Sequence, residues 1–494
     1  MGLIPFGLLP MDPGTAATLT GAISPPFPAG AAANSAAYCI DPALFASLLP
    51  PGRQPAAPAA AEETRRRQEE EEEGAAIRLV HLLVTCAGAI QSGDYSAAHG
   101  NLAEARAILS VITTSTGIGR VANHFADALA QRLFPAYPQA APPAPPPAAL
   151  ADLYSHFYDA GPYLNFAYST ANQAILDAFE GCDRVHVVDF ALMQGLQWPT
   201  LIHALSQREG GPPRLRITGI GPQPTGAGDE LREVGVRLAE FARSLGVPFY
   251  FQGVCVDQLD GLSNWMLKIV PGDGEALAFN SILQLHRLLV DPDADPAVPA
   301  PIDILLDLVT ELQPRVFTVV EQEADHNRPP LLERFTNALF HYAAMFDSMA
   351  AVGHRGGATD SLAEAYLRAE IFDIVCGEGS ARAERHEPLG RWRERLARAG
   401  LTQVPFGRNE VQLATAQLLR ATSSPGSGYS ILECAGSLAL AWHDRPLYAA
   451  TAWSAAGGSA AGAVAGTEGR DNNGRRKTRN GSREINSTGN LAIA

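Results

Sequence analysis

The chain has 494 residues, 46% of them hydrophobic and 18% charged. That is enough for one large domain or two ordinary ones, with polar sequence attached. A formal net charge of −15 excludes an overall basic surface of the kind that grips DNA phosphates. The six cysteines, Cys39, Cys86, Cys182, Cys255, Cys376 and Cys434, form no C-x-x-C pair. They read as reduced thiols, not as a disulfide framework or a zinc site.

Residues 1–76 are rich in Ala, Pro and Gly and close with Arg65–Arg67 and a glutamate run, Glu69–Glu73. This composition is expected to stay disordered. The opening residues have no basic region ahead of an apolar stretch, and Phe6 stands where a myristoylation signal needs Ser or Thr, so neither a signal peptide nor a lipid anchor is expected. No breaker-free apolar run is long enough to predict a membrane span. From Ile77 the pattern changes. Ile77, Val80, Leu83, Val84, Ala87 and Ile90 recur at helical spacing, and two further amphipathic stretches follow around Leu102–Ile112 and Val121–Leu133. Residues 77–135 thus predict a helical cap, and Ala140–Ala149 a Pro/Ala linker.

Beyond the linker, strands alternate with helices. Strands are predicted at Val185–Phe190, Leu215–Ile220, Pro248–Val254, Ala276–Asn280 and Val316–Val320. Helices are predicted at Trp198–Ser206, Asp229–Leu245, Ser281–Leu289 and Leu331–Ala351. This alternation predicts an α/β fold with a mostly parallel, doubly wound sheet. Tyr429–Glu433 and Leu438–Trp442 predict a hairpin adding antiparallel strands at one edge. Residues 454–494 are Gly/Ala-rich, then basic, and are expected to be disordered. The two flanking segments carry −5 and +3, which leaves −13 on residues 77–453. Such a domain suits protein partners better than duplex DNA.

Val185-His186-Val187-Val188-Asp189, continuing through Gln197-Trp198-Pro199, resembles the central VHIID motif of the GRAS family of plant regulators. Other blocks of that family follow in order. Leu79–Leu133 and Leu231–Leu262 resemble its two leucine-rich regions, and Phe346–Gly379 its PFYRE block. Arg382, Glu384, Arg385, His386, Glu387 and Trp392 resemble the RVER element. Trp442 and Thr451-Ala452-Trp453 resemble the closing SAW block, with Thr in place of Ser. The resemblance covers about residues 77–453. Val316–Asn327 and Leu79–Ala87 are most similar to the DELLA-type gibberellin-response repressors. The DELLA and TVHYNP-type motifs of that branch are not found in residues 1–76.

The resemblance implies a Rossmann-like, methyltransferase-like sheet under a helical cap. It implies a nuclear, non-enzymatic co-regulator that represses gibberellin-responsive genes by binding transcription factors, with a homodimer or a heterodimer with another GRAS protein as a further option. Hormone-receptor binding, and hence gibberellin-triggered destruction, is not expected. The alternative function is direct, sequence-specific DNA binding; Arg65–Arg67 and Arg475–Arg479 are nuclear-localisation candidates, with solvated charge as the equal alternative. A methyltransferase-like ligand-binding protein is the third reading. A methyltransferase would need a glycine-rich turn after the first strand and an acid after the second. Here Ala191-Leu192-Met193-Gln194 and Gly219-Ile220-Gly221-Pro222 stand there, so no cofactor is expected.

Candidate interaction residues follow from two LxxLL motifs and the VHIID strand. Leu79, Leu82 and Leu83, and Leu285, Leu288 and Leu289, would each fall on one helical face able to enter a hydrophobic groove. Packing within the domain is the alternative for both, and for the second it is the favoured one. Asp189, Glu321, Glu323 and Asp325 fall at strand carboxyl ends, where such sheets hold ligands; carboxylates capping nearby N–H groups are the structural alternative. His186, inside a strand, reads as a structural histidine, and the twelve histidines show no metal-ligand spacing.

Overall fold

The computed structural model describes residues 59–111, 117–134, 147–223, 229–270, 272–352, 358–422 and 428–455. The Pro/Ala-rich segment 1–58, most of the 140–149 linker, and the tail with Arg475–Arg479 lie outside them.

Three helices open the domain: α1 (Ala59–Ser92), α2 (Tyr95–Leu109) and α3 (Gly117–Leu133). The first begins eighteen residues ahead of the expected boundary. Ala and Glu are strong helix formers, so the polar stretch before Ile77 extends the helix that the apolar stripe nucleates. The stretch Glu71–Ser92 is long and apolar enough to cross a membrane, yet half of it is buried, which is the signature of a core helix. Helices α4 (Pro147–Ala160) and α5 (Tyr163–Ala178) follow, so the predicted linker ends at Pro147, the residue type that suits a helix start.

Among the described residues the sheet has nine strands. Strands β1 (Arg184–Asp189), β2 (Arg214–Gly221), β3 (Phe249–Cys255), β4 (Ala276–Ile282) and β5 (Val316–Gln322) are parallel, in the order β3-β2-β1-β4-β5. Helices α6 (Trp198–Ser206), α7 (Glu230–Ser244), α8 (Asn264–Leu267) and α9 (Pro301–Glu311) lie between them. Helices α10 (Leu331–Ala351), α11 (Ala358–Cys376) and α12 (Leu389–Arg398) precede the short β6 (Leu401–Val404) and α13 (Arg408–Thr422). The chain then runs through β7 (Tyr429–Cys434), β8 (Ser437–Trp442) and β9 (Arg445–Ala455). Strand β9 is antiparallel to β5 and to β8, so the predicted hairpin β7–β8 reaches the sheet only through a strand that the sequence reading lacked.

Strand β1 faces two cores by alternation. Val185 and Val187 face a large cluster under α1–α3, α5 and α10, whereas Val188 and Phe190 face a smaller one under α9 and α12. Both faces are covered, which is why the parallel strands read as nearly continuous apolar runs. His186 is buried on the second face, where its Nε2 lies 2.8 Å from Thr218 Oγ1. Burial holds it neutral, with a pKa lowered to about 3.

Candidate functional site

The strand order reverses between β1 and β4, and doubly wound sheets bind ligands in the crevice at that point. Here the crevice is filled from within. The chain after β1 turns back across β2: Leu192 N–H donates to Ile220 O (3.1 Å), and Met193 and Gly195 take positive φ. The Leu192 side chain lies so close over Gly219 that a Cβ added there would sit 2.5 Å from Leu192 Cδ2. Trp198 Nε1 donates to Asp189 Oδ2 (2.9 Å), and Asn280 Nδ2 to Asp189 Oδ1 (3.2 Å). Gln197 exchanges hydrogen bonds with Asn280 and with Asn172, and Thr318 Oγ1 donates to Asn280 Oδ1 (2.8 Å). Burial lifts the Asp189 pKa to about 6 against the pull of these donors. Asp189 is therefore a pin for the loop. Leu192 packs over Gly219, where a nucleotide cofactor would need bare backbone, and Trp198 is buried in the core beneath.

A second polar cluster lies beyond β4 and β5. Strand β4 runs through Ser281 to Ile282, and Leu283 takes φ 56°. The predicted helix Ser281–Leu289 is thus a strand end followed by a single 3-10 turn, Leu285–Leu288. That turn aims His286 inward. His286 Nδ1 is 2.7 Å from Glu321 Oε2, and His286 Nε2 is 2.8 Å from Glu384 Oε2. Glu321 Oε1 accepts from Leu285 N–H (2.8 Å), so the β5 carboxylate caps the turn, as the structural alternative required. Arg287 Nη2 pairs with Glu384 Oε1 at 2.8 Å.

The RVER residues surround this pair. Arg382 and Arg385 both reach Asp291 (2.5 and 2.7 Å), and Arg385 also donates to Asn327 Oδ1 (2.9 Å). Asn327 donates to Glu387, which pairs with Arg395 at 2.9 Å. Glu323 Oε2 accepts from Leu389 N–H (2.8 Å) at the start of α12, and Asp325 pairs with Arg328. Arg382, Glu384, Arg385, His386 and Glu387 are all buried. The block is a clasp that ties the ends of β4 and β5 to α11 and α12.

Electrostatics in the clasp depend on the partners. Burial alone would lower the His286 pKa, but Glu321 and Glu384 overcome it and raise it to about 9. Burial alone would raise that of Glu384, but Arg287 and His286 bring it down to about 2. Burial, then the Glu384 charge, push Glu370 up to about 7. His326, His341 and His386 are held low, first by burial.

Ligand atoms of His286, Glu384 and His386 lie within 4.8 Å of one another, a spacing open to a metal ion. Two features oppose one. The His286 and His386 rings stack at 4.2 Å and 27°, so their lone pairs do not converge, and Arg287 already holds Glu384. A protonated His286 between two carboxylates, with Arg287 alongside, leaves the group neutral; a divalent ion would not.

The leucine motifs do not form exposed faces. Leu79, Leu82 and Leu83 are 1%, 7% and 0% exposed, in the core that α1 shares with α2 and α10. Leu285, Leu288 and Leu289 are buried in the second core, on a 3-10 turn instead of a helix. Trp392, Trp442 and Trp453 are buried as well, with Trp442 Nε1 donating to Asp347 Oδ2 and Trp453 Nε1 to Thr451 Oγ1 (2.8 and 2.9 Å).

The model of the GRAS domain family matches residues 79–454, the span that carries the filled crevice, the clasp and β9. The chain belongs to the GRAS family. It is 56% identical over 439 residues to Protein SLENDER RICE1-LIKE 2 of Oryza sativa subsp. japonica, covering 86% of each chain. It is 41% identical over 410 residues to DELLA protein DWARF8 of Zea mays, covering 78% of this chain and 62% of that one. Among solved structures, that titled Crystal Structure of SCL7 in Oryza sativa matches with a TM-score of 0.64 and 32% identity, over 76% of this chain and 99% of that one. The GRAS chain thus has a mainly parallel α/β architecture seen in a solved relative.

Proposed function

We propose that this GRAS protein is a nuclear transcriptional co-regulator that restrains gibberellin-responsive growth by binding DNA-binding transcription factors. The observation that carries the reading is the filled crevice. Where an α/β enzyme would take its cofactor, Leu192 packs over Gly219, and bonds from Trp198 and Asn280 pin Asp189 at the end of β1. Likeness to DELLA proteins supports the repressor role. Residues 1–76 contain neither receptor-binding motif of the DELLA branch, so the repressor persists when gibberellin is present.

The test is an immunoblot time course after gibberellin treatment, with a DELLA protein as internal control, in plants that overexpress this chain. The reading expects dwarfed plants in which the control disappears and this protein remains. Normal stature, or parallel loss of both proteins, contradicts it.

A further inference from the structure

The short helix α8 is strapped to the sheet by side chains of β2 and β3. Gln252 Nε2 donates to Met266 O (2.6 Å), and Arg216 Nη2 and Nη1 donate to Leu267 O and Lys268 O (2.7 and 3.2 Å). Leu267 is buried beneath the strap, and Lys268 is held at φ 51°, a left-handed conformation that costs a non-glycine residue energy. The result is a fixed platform. Tyr250 and Gln252 share one face of β3, so Trp265 and Tyr250, 78% and 55% exposed, stand on the same side of the strand. Arg184, Arg214, Arg216, Lys268 and Glu275 line a cleft with Tyr250 at the amino end of β3. Arg184 pairs with Asp273 at 2.9 Å and Arg216 approaches Glu275 at 3.6 Å. Arg214 and Lys268, both exposed, meet no acid among the described residues. In a chain of net charge −15, this is a local excess of positive charge beside two exposed aromatic rings. Trp, Tyr and Arg are the residues that dominate binding energy at protein interfaces.

The platform borders unpaired main chain. Strand β3 ends the sheet, and its sequence, FYFQGVC, carries neither charge nor proline, the usual guards of an edge. Leu215 N–H donates to Pro248 O (2.8 Å) and Val256 N–H to Gly221 O (3.0 Å), and alternate residues of a parallel strand turn both main-chain groups to one side. Tyr250, Gln252 and Val254 therefore bond β2. Phe249, Phe251 and Gly253 turn theirs outward and meet no partner among the described residues. On the face opposite Trp265, Phe251 borders an apolar groove with Leu231 and Val236, the latter 49% exposed. Beyond the carboxyl end of β3 the charge reverses, with Asp229, Glu230 and Asp257 exposed.

We propose that β3 takes an extended segment of a different protein as an added strand, and that this segment is acidic at the end meeting Arg214 and Lys268 and uncharged or basic at the other. The outward N–H and C=O groups of Phe249, Phe251 and Gly253 supply the main-chain bonds, and alternate side chains of the segment supply selectivity. One set lies over Tyr250 and Trp265, the face that also carries Arg214 and Lys268; the other set enters the groove of Leu231, Val236 and Phe251. Asp229, Glu230 and Asp257 repel a segment that is acidic throughout. A single-stranded nucleic acid would engage the cations and the rings, but it leaves the row of main-chain groups unpaired and meets those three acids. This inference is independent of the regulatory reading, since it assigns a mode of recognition and not the consequence of binding.

Selection of a phage-displayed library of random linear peptides, each longer than β3, on the full chain tests it. Enriched peptides are expected to alternate apolar with polar residues, to lack central proline and to carry Asp or Glu at one end only. The most enriched, synthesised with a fluorescent label, is expected to bind the full chain with a Kd below about 100 μM by anisotropy. Arg214→Glu with Lys268→Glu is expected to weaken that binding at least about tenfold, and exchanging the acidic residues of the peptide for lysine is expected to restore it to the double variant. Gly253→Pro, which removes an outward N–H at the strand centre, is expected to weaken binding while circular dichroism reports an intact fold. Enrichment of no peptide would overturn the proposal. So would equal binding by the double variant, or a charge exchange that restores nothing. Tighter binding of a single-stranded oligothymidylate than of the peptide, lost in the same double variant, would overturn it in favour of a nucleic-acid site.

Discussion

Replacing His286 by glutamine should remove a pH dependence of stability built into the clasp. In the folded domain His286 is pinned between Glu321 and Glu384 at 2.7 and 2.8 Å, with its pKa raised from 6.5 to about 9. The folded state thus holds a proton that the unfolded state releases between those two values. The sign follows: this stabilisation is fully present below pH 6.5 and is lost as pH rises through about 9. At about 1.4 kcal/mol per pKa unit, the loss is about 3 kcal/mol. Glu323 and Glu370, both raised to about 7 chiefly by burial, act at lower pH and do not mimic the effect above neutrality. The assay is urea denaturation of the folded domain at pH 6, 7.5 and 9.5. The unaltered protein should lose about 3 kcal/mol more than His286→Gln across that range. At pH 6 the variant should be less stable, since removing one member of a buried ion pair costs about 3–5 kcal/mol. Parallel pH profiles for the two proteins would refute the imidazolium assignment.

Leu79→Glu with Leu83→Glu should unfold or aggregate the domain, because both leucines are core and an unpaired buried charge costs several kcal/mol or more. A soluble double variant with an unchanged melting temperature would place that face at the surface. Trp453→Ala, at a side chain 2% exposed between the β5–β9 pair and the second core, should cost roughly 3–5 kcal/mol by denaturation, and an unchanged midpoint would contradict its packing. Gly219→Ala should cost about 1–3 kcal/mol through overpacking against Leu192; a neutral effect would mean that the loop after β1 can withdraw. Calorimetry with S-adenosylmethionine should give no binding heat, and a micromolar dissociation constant would reopen the enzyme reading.

Most of the sheet was legible because buried parallel strands leave short β-branched runs between amphipathic helices, and β1, β2, β3, β5 and α10 fall within a residue or two of expectation. Strand β9 was not. Its Ala-rich run, RPLYAATAWSA, shows no clean alternation of polar and apolar residues, and non-local pairing with β5 and β8 makes it a strand. Leu285–Leu289 read as a helix because the leucine spacing fits one, but β4 extends to Ile282 and Glu321 caps a tighter turn. The clasp was visible only as separate motifs. His286, Glu321 and Glu384 are far apart in sequence, and no local pattern links a histidine to carboxylates 35 and 98 residues away. The leucine faces show the converse: LxxLL spacing marks an apolar stripe but does not say whether the domain or a partner covers it.

The central claim is that this GRAS chain acts on genes through other proteins. A mobility-shift experiment tests it most directly, with the purified full chain, promoter duplexes from gibberellin-responsive genes, and DNA-binding factors recovered with it from nuclei. The account predicts no shift by the chain alone at physiological salt and an altered shift once a recovered factor is added. A sequence-specific shift by the chain alone, weakening steeply with salt, would contradict it.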